Sequence, residues 1–185
     1  MPKRIVGFSG SLSSPSRTRT LVDLAVGRTA RRFGCLAATY EIGDLQPSLG
    51  QAQAVDQLDP LARAILNTIL TADALVVGTP VYKGSFTGLF KHLIDLIDPA
   101  ALAGKPVLLT ATGGGDRHAL VIEHQMRPLF GFFEAASLPT GVYASGGEFR
   151  DGLPASDALL ARLDRAVGQF APWLLHAEGA TSSAA

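Results

Sequence analysis

The sequence places small hydroxyl residues and an arginine directly before its first long amphipathic segment, in "GFSGSLSSPSRTRTL". Hydroxyls, a guanidinium and the free N–H groups of a helix N-terminus bind anions, because the helix dipole is also positive there. The pattern fits a terminal phosphate, and a serine-rich turn with an ordinary helix cap is the alternative. The groups available are Arg17 and the hydroxyls of Ser9, Ser11, Ser13, Ser14, Ser16 and Thr18.

Two later loops carry residues suited to a flat ring. "TPVYKGSFTG" joins the rigid Pro80 to the aromatic Tyr82 and to Gly84, which offers an aromatic wall and close backbone donors. "TGGGDRH" has three consecutive glycines, which lose much conformational entropy on folding. Such a run indicates backbone that is held close to another group. The alternatives are a proline-terminated strand with a surface tyrosine, and a flexible turn.

Strands alternate with helices along the chain, and this alternation must position the three loops. Apolar runs predict strands, and apolar residues at helical spacing predict helices that begin at capping residues or proline. Strands are predicted over 4–10, 35–42, 74–80, 105–112 and 138–144, and helices over 17–32, 60–70, 87–98, 117–136 and from 157 onward.

This alternation predicts an α/β fold, a doubly wound parallel sheet of five strands in the flavodoxin-like order 2-1-3-4-5. Ligands of such sheets bind beyond the carboxyl ends of the strands, where the strand order reverses. The three loops follow the first, third and fourth strands, so they meet at that crevice. Neither the Walker A pattern nor the G-x-G-x-x-G fingerprint is present, which disfavours those two nucleotide sites.

Composition narrows the class of protein. A formal net charge of zero argues against nucleic acid as a partner and gives no electrostatic reason to bind a membrane. A single cysteine, Cys35, suits a reducing cytoplasm. Neither an apolar stretch long enough to span a membrane nor a metal-ligand spacing of histidines is found, so no membrane and no metal are expected. We expect one domain over residues 1–176 and a disordered tail over 177–185.

Three segments carry a resemblance to a known family: "GFSGSLSSPSRT", "VVGTPVYKGSFTGLFKHLIDL" and "LLTATGGGDRHALVIEHQMRPL". They resemble the NAD(P)H-dependent FMN reductases, more narrowly the flavin reductases of alkanesulfonate and methanesulfonate utilisation. The resemblance covers about residues 3–145. It implies FMN in the crevice, NADH or NADPH as hydride donor, a dimer or tetramer, and reduced FMN passed to a separate monooxygenase.

Carried over by position, the resemblance assigns the FMN phosphate to Ser9, Ser11, Ser16, Arg17 and Thr18. It assigns the isoalloxazine ring to one side formed by Pro80, Val81, Tyr82, Lys83 and Gly84, and to a second side formed by Thr112, Gly113, Gly114 and Gly115. Hydride passes from the nicotinamide to the flavin without a protein acid or base, so no catalytic side chain is named.

Two other functions remain open from the sequence. An electron-carrying flavodoxin would retain its FMN, but such carriers are typically acidic, and this chain is neutral. The second is a reductase that retains FMN and reduces quinones, azo dyes or metal oxyanions. The residues distinguish it only poorly from a flavin reductase that releases reduced FMN. The preference between NADH and NADPH is also left open.

The predicted helix over 117–136 contains Pro128, which has no N–H to donate to the carbonyl of His124. A π-type turn would repair this loss, with Leu129 donating to that carbonyl instead. The resemblance places such an insertion at a subunit interface beside the flavin, with a tyrosine in the alkanesulfonate-type relatives where this chain has His124. An apolar surplus is expected to pack against another subunit: Val121, Ile122, Met126, Leu129, Phe130, Phe132 and Phe133.

Overall fold

The protein is described by a computed structural model that covers residues 1–175. The tail expected over 177–185 lies outside the described residues. The principal sheet contains parallel strands in the order β2-β1-β3-β4, and two short strands then pair with β4. Its strands are β1 (Arg4–Ser9), β2 (Leu36–Glu41), β3 (Ala74–Pro80), β4 (Pro106–Gly113), β5 (Ala136–Ser137) and β6 (Val142–Ser145).

The predicted doubly wound, flavodoxin-like fold and its strand order are confirmed, with one local difference. The fifth strand is divided into β5 and β6, because Pro139 has no N–H to continue the ladder. Side chains form hydrogen bonds with the backbone groups at this interruption. Arg127 donates to the carbonyls of Leu138 and Pro139, and the N–H of Thr140 donates to Gln169.

The helices begin where their capping residues predict. Side-chain oxygens of Ser16, Asp59, Thr87 and Ser156 each accept a backbone N–H at a helix start. The helices are α1 (Arg17–Phe33), α2 (Pro60–Leu70), α3 (Gly88–Asp95), α4 (Arg127–Phe132), α5 (Asp157–Gly168) and α6 (Ala171–Leu174).

Two apolar cores cover the two faces of the sheet. One contains residues of α1, α5 and α6, and the other contains residues of α2, α3 and α4. Helix α1 packs closely on the sheet at two glycines. A Cβ on Gly78 would fall 2.5 Å from Val22, and a Cβ on Gly7 would fall 2.6 Å from it, so neither position has room for a side chain. This close packing brings the N-terminus of α1 to the ends of β1 and β3.

The predicted long helix over 117–136 is wrong in extent. A 3₁₀ turn occupies Asp116–His118, a π-helix occupies Ile122–Met126, and only α4 is α-helical. A wide turn is present near His124, as expected. The hydrogen bond that shows it runs from the Arg127 N–H to the Ile122 carbonyl, two residues before the expected pair of Leu129 and His124. Pro128 then falls in the first turn of α4, where its missing N–H costs little.

The apolar surplus of this segment is mostly used inside the protomer. Val121, Ile122, Met126, Phe130 and Phe133 are all buried in its own core, contrary to the expectation that they face another subunit. The π-helix changes the rotation of the chain between turns, so both ends of the segment direct apolar side chains inward. Large apolar side chains left exposed here are Leu120 and Phe132.

A two-stranded hairpin after the principal sheet was not predicted from the sequence. It consists of β7 (Phe149–Arg150) and β8 (Leu153–Pro154), joined by Asp151 and Gly152 with φ values of 53° and 79°. Over residues 1–175, none of the helices is both long and apolar enough to span a membrane.

Candidate functional site

A cavity of about 710 Å³ opens at the carboxyl ends of β1, β3 and β4. This is the position that the strand order predicts for a ligand. Its lining combines the three loops identified in the sequence with the tip of the β7–β8 hairpin: Ser11, Ser13, Pro15, Ser16, Arg17, Thr18, Thr20, Pro80, Val81, Tyr82, Thr112, Gly113, Gly114, Asp151, Gly152 and Leu153.

The part of the cavity that is expected to hold a phosphate, called the phosphate end, is formed by the loop before α1 and the first turn of α1. Ser16 Oγ accepts the N–H of Arg19 at 3.1 Å, and Ser11 Oγ accepts the N–H of Ser13 at 3.2 Å. Both hydroxyls act as acceptors in these bonds, which leaves their protons for a ligand oxygen. Below them, Thr18 and Thr112 share a buried hydroxyl–hydroxyl bond of 2.7 Å that ties α1 to β4.

The two arginines in the first turn of α1, Arg17 and Arg19, have different surroundings. Arg19 forms ion pairs with Asp23 at 3.0 Å and Glu41 at 3.5 Å. Arg17 is exposed and lines the cavity, and none of the carboxylates of residues 1–175 lies within 4.0 Å of its guanidinium. Arg17 therefore carries a positive charge at a helix N-terminus that an anionic ligand could neutralise.

The part of the cavity that is expected to hold a flat ring, called the ring end, is lined by Tyr82, which begins a tight turn after β3. Tyr82 and Ser85 exchange backbone hydrogen bonds of 3.0 and 3.2 Å. Between them, Lys83 and Gly84 have φ values of 54° and 86°, as in a type I′ turn, which requires two left-handed residues. A lysine rarely adopts this conformation, so the backbone is strained at Lys83.

The glycine run has two different physical reasons. A Cβ on Gly113 would fall 2.2 Å from the Tyr143 hydroxyl, which itself donates to the Gly115 carbonyl. Gly113 is therefore required by packing inside the protein. A Cβ on Gly114 or Gly115 would meet nothing within 4 Å, so these glycines leave open space.

Tyr143 holds the glycine run from below. Burial, followed by the nearby charges of Asp116 and Glu148, raises the pKa of its phenol. Tyr143 therefore stays protonated at neutral pH and remains a donor to the Gly115 carbonyl.

Most residues predicted for the site line this cavity, and four do not. Ser9 is fully buried beneath the loop, where its Oγ accepts the N–H of Ser11, so its predicted contact with a phosphate is not supported by its position. Lys83, Gly84 and Gly115 lie in the loops beside the cavity but outside its lining.

Six lining residues were not carried over to the site by the resemblance: Ser13, Pro15, Thr20, Asp151, Gly152 and Leu153. Of these, Ser13 was noted in the sequence only as one of the available hydroxyls. Three of them follow the last strand of the principal sheet, and the D-G pair at 151–152 was a turn signal in the sequence. That signal predicts a hairpin but not the direction in which it folds.

The π-helix contacts the turn that follows β3, outside the cavity lining. Ser85 Oγ donates to Gln125 Oε1 at 3.2 Å, which joins the turn after β3 to the middle of the π-helix. Within residues 1–175, no group of three or more His, Cys, Asp or Glu side chains is arranged to bind a metal ion.

Comparison with known proteins identifies the family. The family described as NADPH-dependent FMN reductase matches residues 3–149. The chain is 44% identical over 171 residues to the NADH-dependent FMN reductase SfnF of Pseudomonas fluorescens, covering 92% of this chain and 91% of that one. It is 44% identical, over 92% of each chain, to an FMN reductase (NADPH) of Pseudomonas aeruginosa.

Solved structures agree with this assignment. An oxidoreductase of Corynebacterium diphtheriae superposes with a TM-score of 0.82 at 33% identity, covering 94% of this chain and 97% of that one. The apo form of the NADH:FMN oxidoreductase EmoB gives 0.82 at 28% identity, covering 93% and 90%. The chain belongs to the NADPH-dependent FMN reductase family, so the predicted enzyme class, a flavin reductase using FMN and a nicotinamide nucleotide, is confirmed.

Proposed function

We propose that this protein uses NADH or NADPH to reduce FMN in the 710 Å³ cavity, and that it releases the reduced flavin to a separate monooxygenase of sulfonate metabolism. The proposed binding site rests on Arg17, which lines the cavity at the N-terminus of α1. Within residues 1–175, its guanidinium forms no ion pair with a carboxylate. A phosphate monoester there gains a charge-assisted bond and the helix dipole together.

The remaining lining residues fit the other parts of FMN. Ser11 and Ser16 have hydroxyl protons free to donate to the phosphate. Tyr82 offers an aromatic wall, and the open side of Gly114 allows the backbone to approach a flat ring. When bound, FMN supplies the hydride-accepting ring, and the protein supplies position and charge.

Exchangeable FMN would support supply to a second enzyme. After extensive dialysis we expect colourless protein that binds FMN reversibly at micromolar concentration. NADH oxidation should then depend on added FMN, and a quinone should not replace it. Protein that stays yellow and reduces quinone without added FMN would instead support the quinone reductase alternative.

The monooxygenase partner is supported by the resemblance to flavin reductases of sulfonate utilisation and by relatives of similar length at 44–45% identity. The test combines this protein, NADH and FMN with candidate FMN-dependent monooxygenases and measures sulfite release from alkanesulfonates. Sulfite that forms only when both enzymes are present supports the proposal, and its absence with every candidate would contradict this part of it.

A homo-oligomer is also proposed, on narrower grounds than the sequence suggested. The exposed Leu120 and Phe132 flank the π-helix, which contacts the turn after β3 through Gln125. Sedimentation at micromolar concentration should show a dimer or tetramer. A monomer there would contradict the proposal.

A further inference from the structure

Arg17 is held in place by a contact that the sequence did not indicate. Its Cζ atom lies 5.7 Å from the centroid of the Phe149 ring, in the range of a cation–π interaction. Phe149 is the first residue of β7, so the hairpin that forms one wall of the cavity also supports its cationic side chain.

A second element restricts the guanidinium from another side. A Cβ on Gly146 would lie 3.1 Å from Arg17 Nη1, closer than side chains normally pack. The same Cβ would lie 3.6 Å from the Gly114 carbonyl, so Gly146 separates Arg17 from the glycine run. A side chain at position 146 would require the guanidinium to shift by a few tenths of an ångström.

The hairpin itself is anchored to the rest of the fold. The Glu148 carboxylate accepts the N–H of Ser145 at 2.9 Å and the guanidinium of Arg162 at 3.1 Å. The Glu148 carbonyl accepts the N–H of Ala155 at 2.9 Å, which closes the base of the hairpin. Phe149 also packs against the core that contains α1. Its ring is thus a fixed support rather than a mobile surface group.

We propose that Phe149 is a positioning residue that holds the Arg17 guanidinium ready for the phosphate of the flavin, and that Gly146 leaves room for the guanidinium. This inference rests on the proposed FMN site. An arginine side chain loses much rotamer freedom when it binds a ligand, and a ring that already orders it removes part of that cost. Flavins with and without a phosphate should therefore respond differently to changes at Phe149.

The experiment measures dissociation constants for FMN and for riboflavin, by quenching of flavin fluorescence, with Phe149→Leu. We expect FMN binding to weaken about threefold to tenfold, and riboflavin binding to stay within twofold. Phe149→Tyr, which keeps the ring, should restore FMN binding. In an Arg17→Ala background, Phe149→Leu should leave the FMN-to-riboflavin ratio unchanged.

A matched control is available at the other end of the same helix. Arg32 lies over the Phe33 ring, also at 5.7 Å, but neither residue lines the cavity. Phe33→Leu should leave the ratio unchanged. Equal losses of FMN and riboflavin in Phe149→Leu would show a merely structural role and overturn the inference. If Arg17→Ala itself spares the ratio, the proposed phosphate site is wrong instead.

Discussion

The two ends of the cavity offer different physical features to the FMN that we propose binds there. At the phosphate end, fixed elements supply charge: α1 is packed closely on Gly7 and Gly78, and Arg17 rests on the Phe149 ring. At the ring end, a turn strained at Lys83 and an exposed Tyr82 supply backbone and surface. In the proposed complex, the phosphate of FMN would therefore meet a charged site ordered by packing, and its ring would meet the more exposed side chain of Tyr82.

In the proposed complex, the two ends of the cavity would affect the exchange of the flavin differently. A preformed anion site favours rapid capture, because little conformational entropy is lost when the phosphate binds. In the proposed complex, the exposed Tyr82 would bury little surface against the ring, which would favour release of the flavin. Both properties suit a protein whose flavin is passed on rather than retained.

The largest expected effect is at the phosphate end. Arg17→Ala removes a charge-assisted contact worth about 1.5–3 kcal/mol, so FMN should bind roughly 10- to 150-fold more weakly. Riboflavin, which has no phosphate, should bind as before. Titration of both flavins by fluorescence quenching measures the two constants on the same protein.

The adjacent arginine is the control for this variant. Arg19 is engaged by Asp23 and Glu41 and does not line the cavity, so Arg19→Ala should leave the FMN-to-riboflavin ratio unchanged. Equal weakening of FMN and riboflavin binding in Arg17→Ala would show that Arg17 does not bind the phosphate, and would contradict the proposed difference between the two ends of the cavity.

The glycine run separates packing from ligand approach. Gly113→Ala drives a Cβ into the Tyr143 hydroxyl and should lower the free energy of unfolding by about 1–3 kcal/mol. Gly114→Ala meets open space and should leave stability nearly unchanged while weakening both flavins. Thermal unfolding combined with flavin titration distinguishes the two outcomes.

A second substitution tests the cause assigned to Gly113. Tyr143→Phe removes the hydroxyl that the new Cβ would meet, so Gly113→Ala should cost less in that background. The same cost in both backgrounds would show that the Tyr143 hydroxyl is not the obstacle.

The sequence predicts the parts of the site that depend on local signals. Ser16 as a cap, the close of β3 at Pro80 and the glycine run after β4 are each recognisable within a few residues. Hydrophobic periodicity likewise indicates the alternation of strands and helices, from which the position of the crevice follows.

The features that could not be predicted depend on contacts between distant segments. The support of Arg17 by Phe149 joins residues 132 positions apart, and no local pattern encodes the direction of the hairpin. Ser9 was assigned to the phosphate by position through the resemblance, but it is the last residue of a buried strand and lies beneath the loop. The apolar surplus near Pro128 was attributed to a second subunit, whereas the π-helix directs most of it inward.

A smaller effect is expected at the aromatic wall of the ring end. Tyr82→Ala removes a stacking surface worth about 0.5–1.5 kcal/mol, so FMN and riboflavin should both weaken about twofold to tenfold. Tyr82→Phe keeps the ring and loses only a long contact of 3.4 Å with Ser13 Oγ, so both flavins should bind nearly as before. A loss confined to FMN would place Tyr82 at the phosphate instead.

The smallest expected effect concerns the strained turn at Lys83. Lys83 holds a left-handed φ of 54°, which costs a residue with a side chain about 1–2 kcal/mol, whereas glycine avoids this cost but loses more entropy on folding. Lys83→Gly should therefore raise the free energy of unfolding by about 0.5 kcal/mol. Lys91→Gly, inside helix α3, should lower it by about 1 kcal/mol. Urea unfolding of both variants gives the two signs, and a loss of stability in Lys83→Gly would show that the ring end is not strained at this residue.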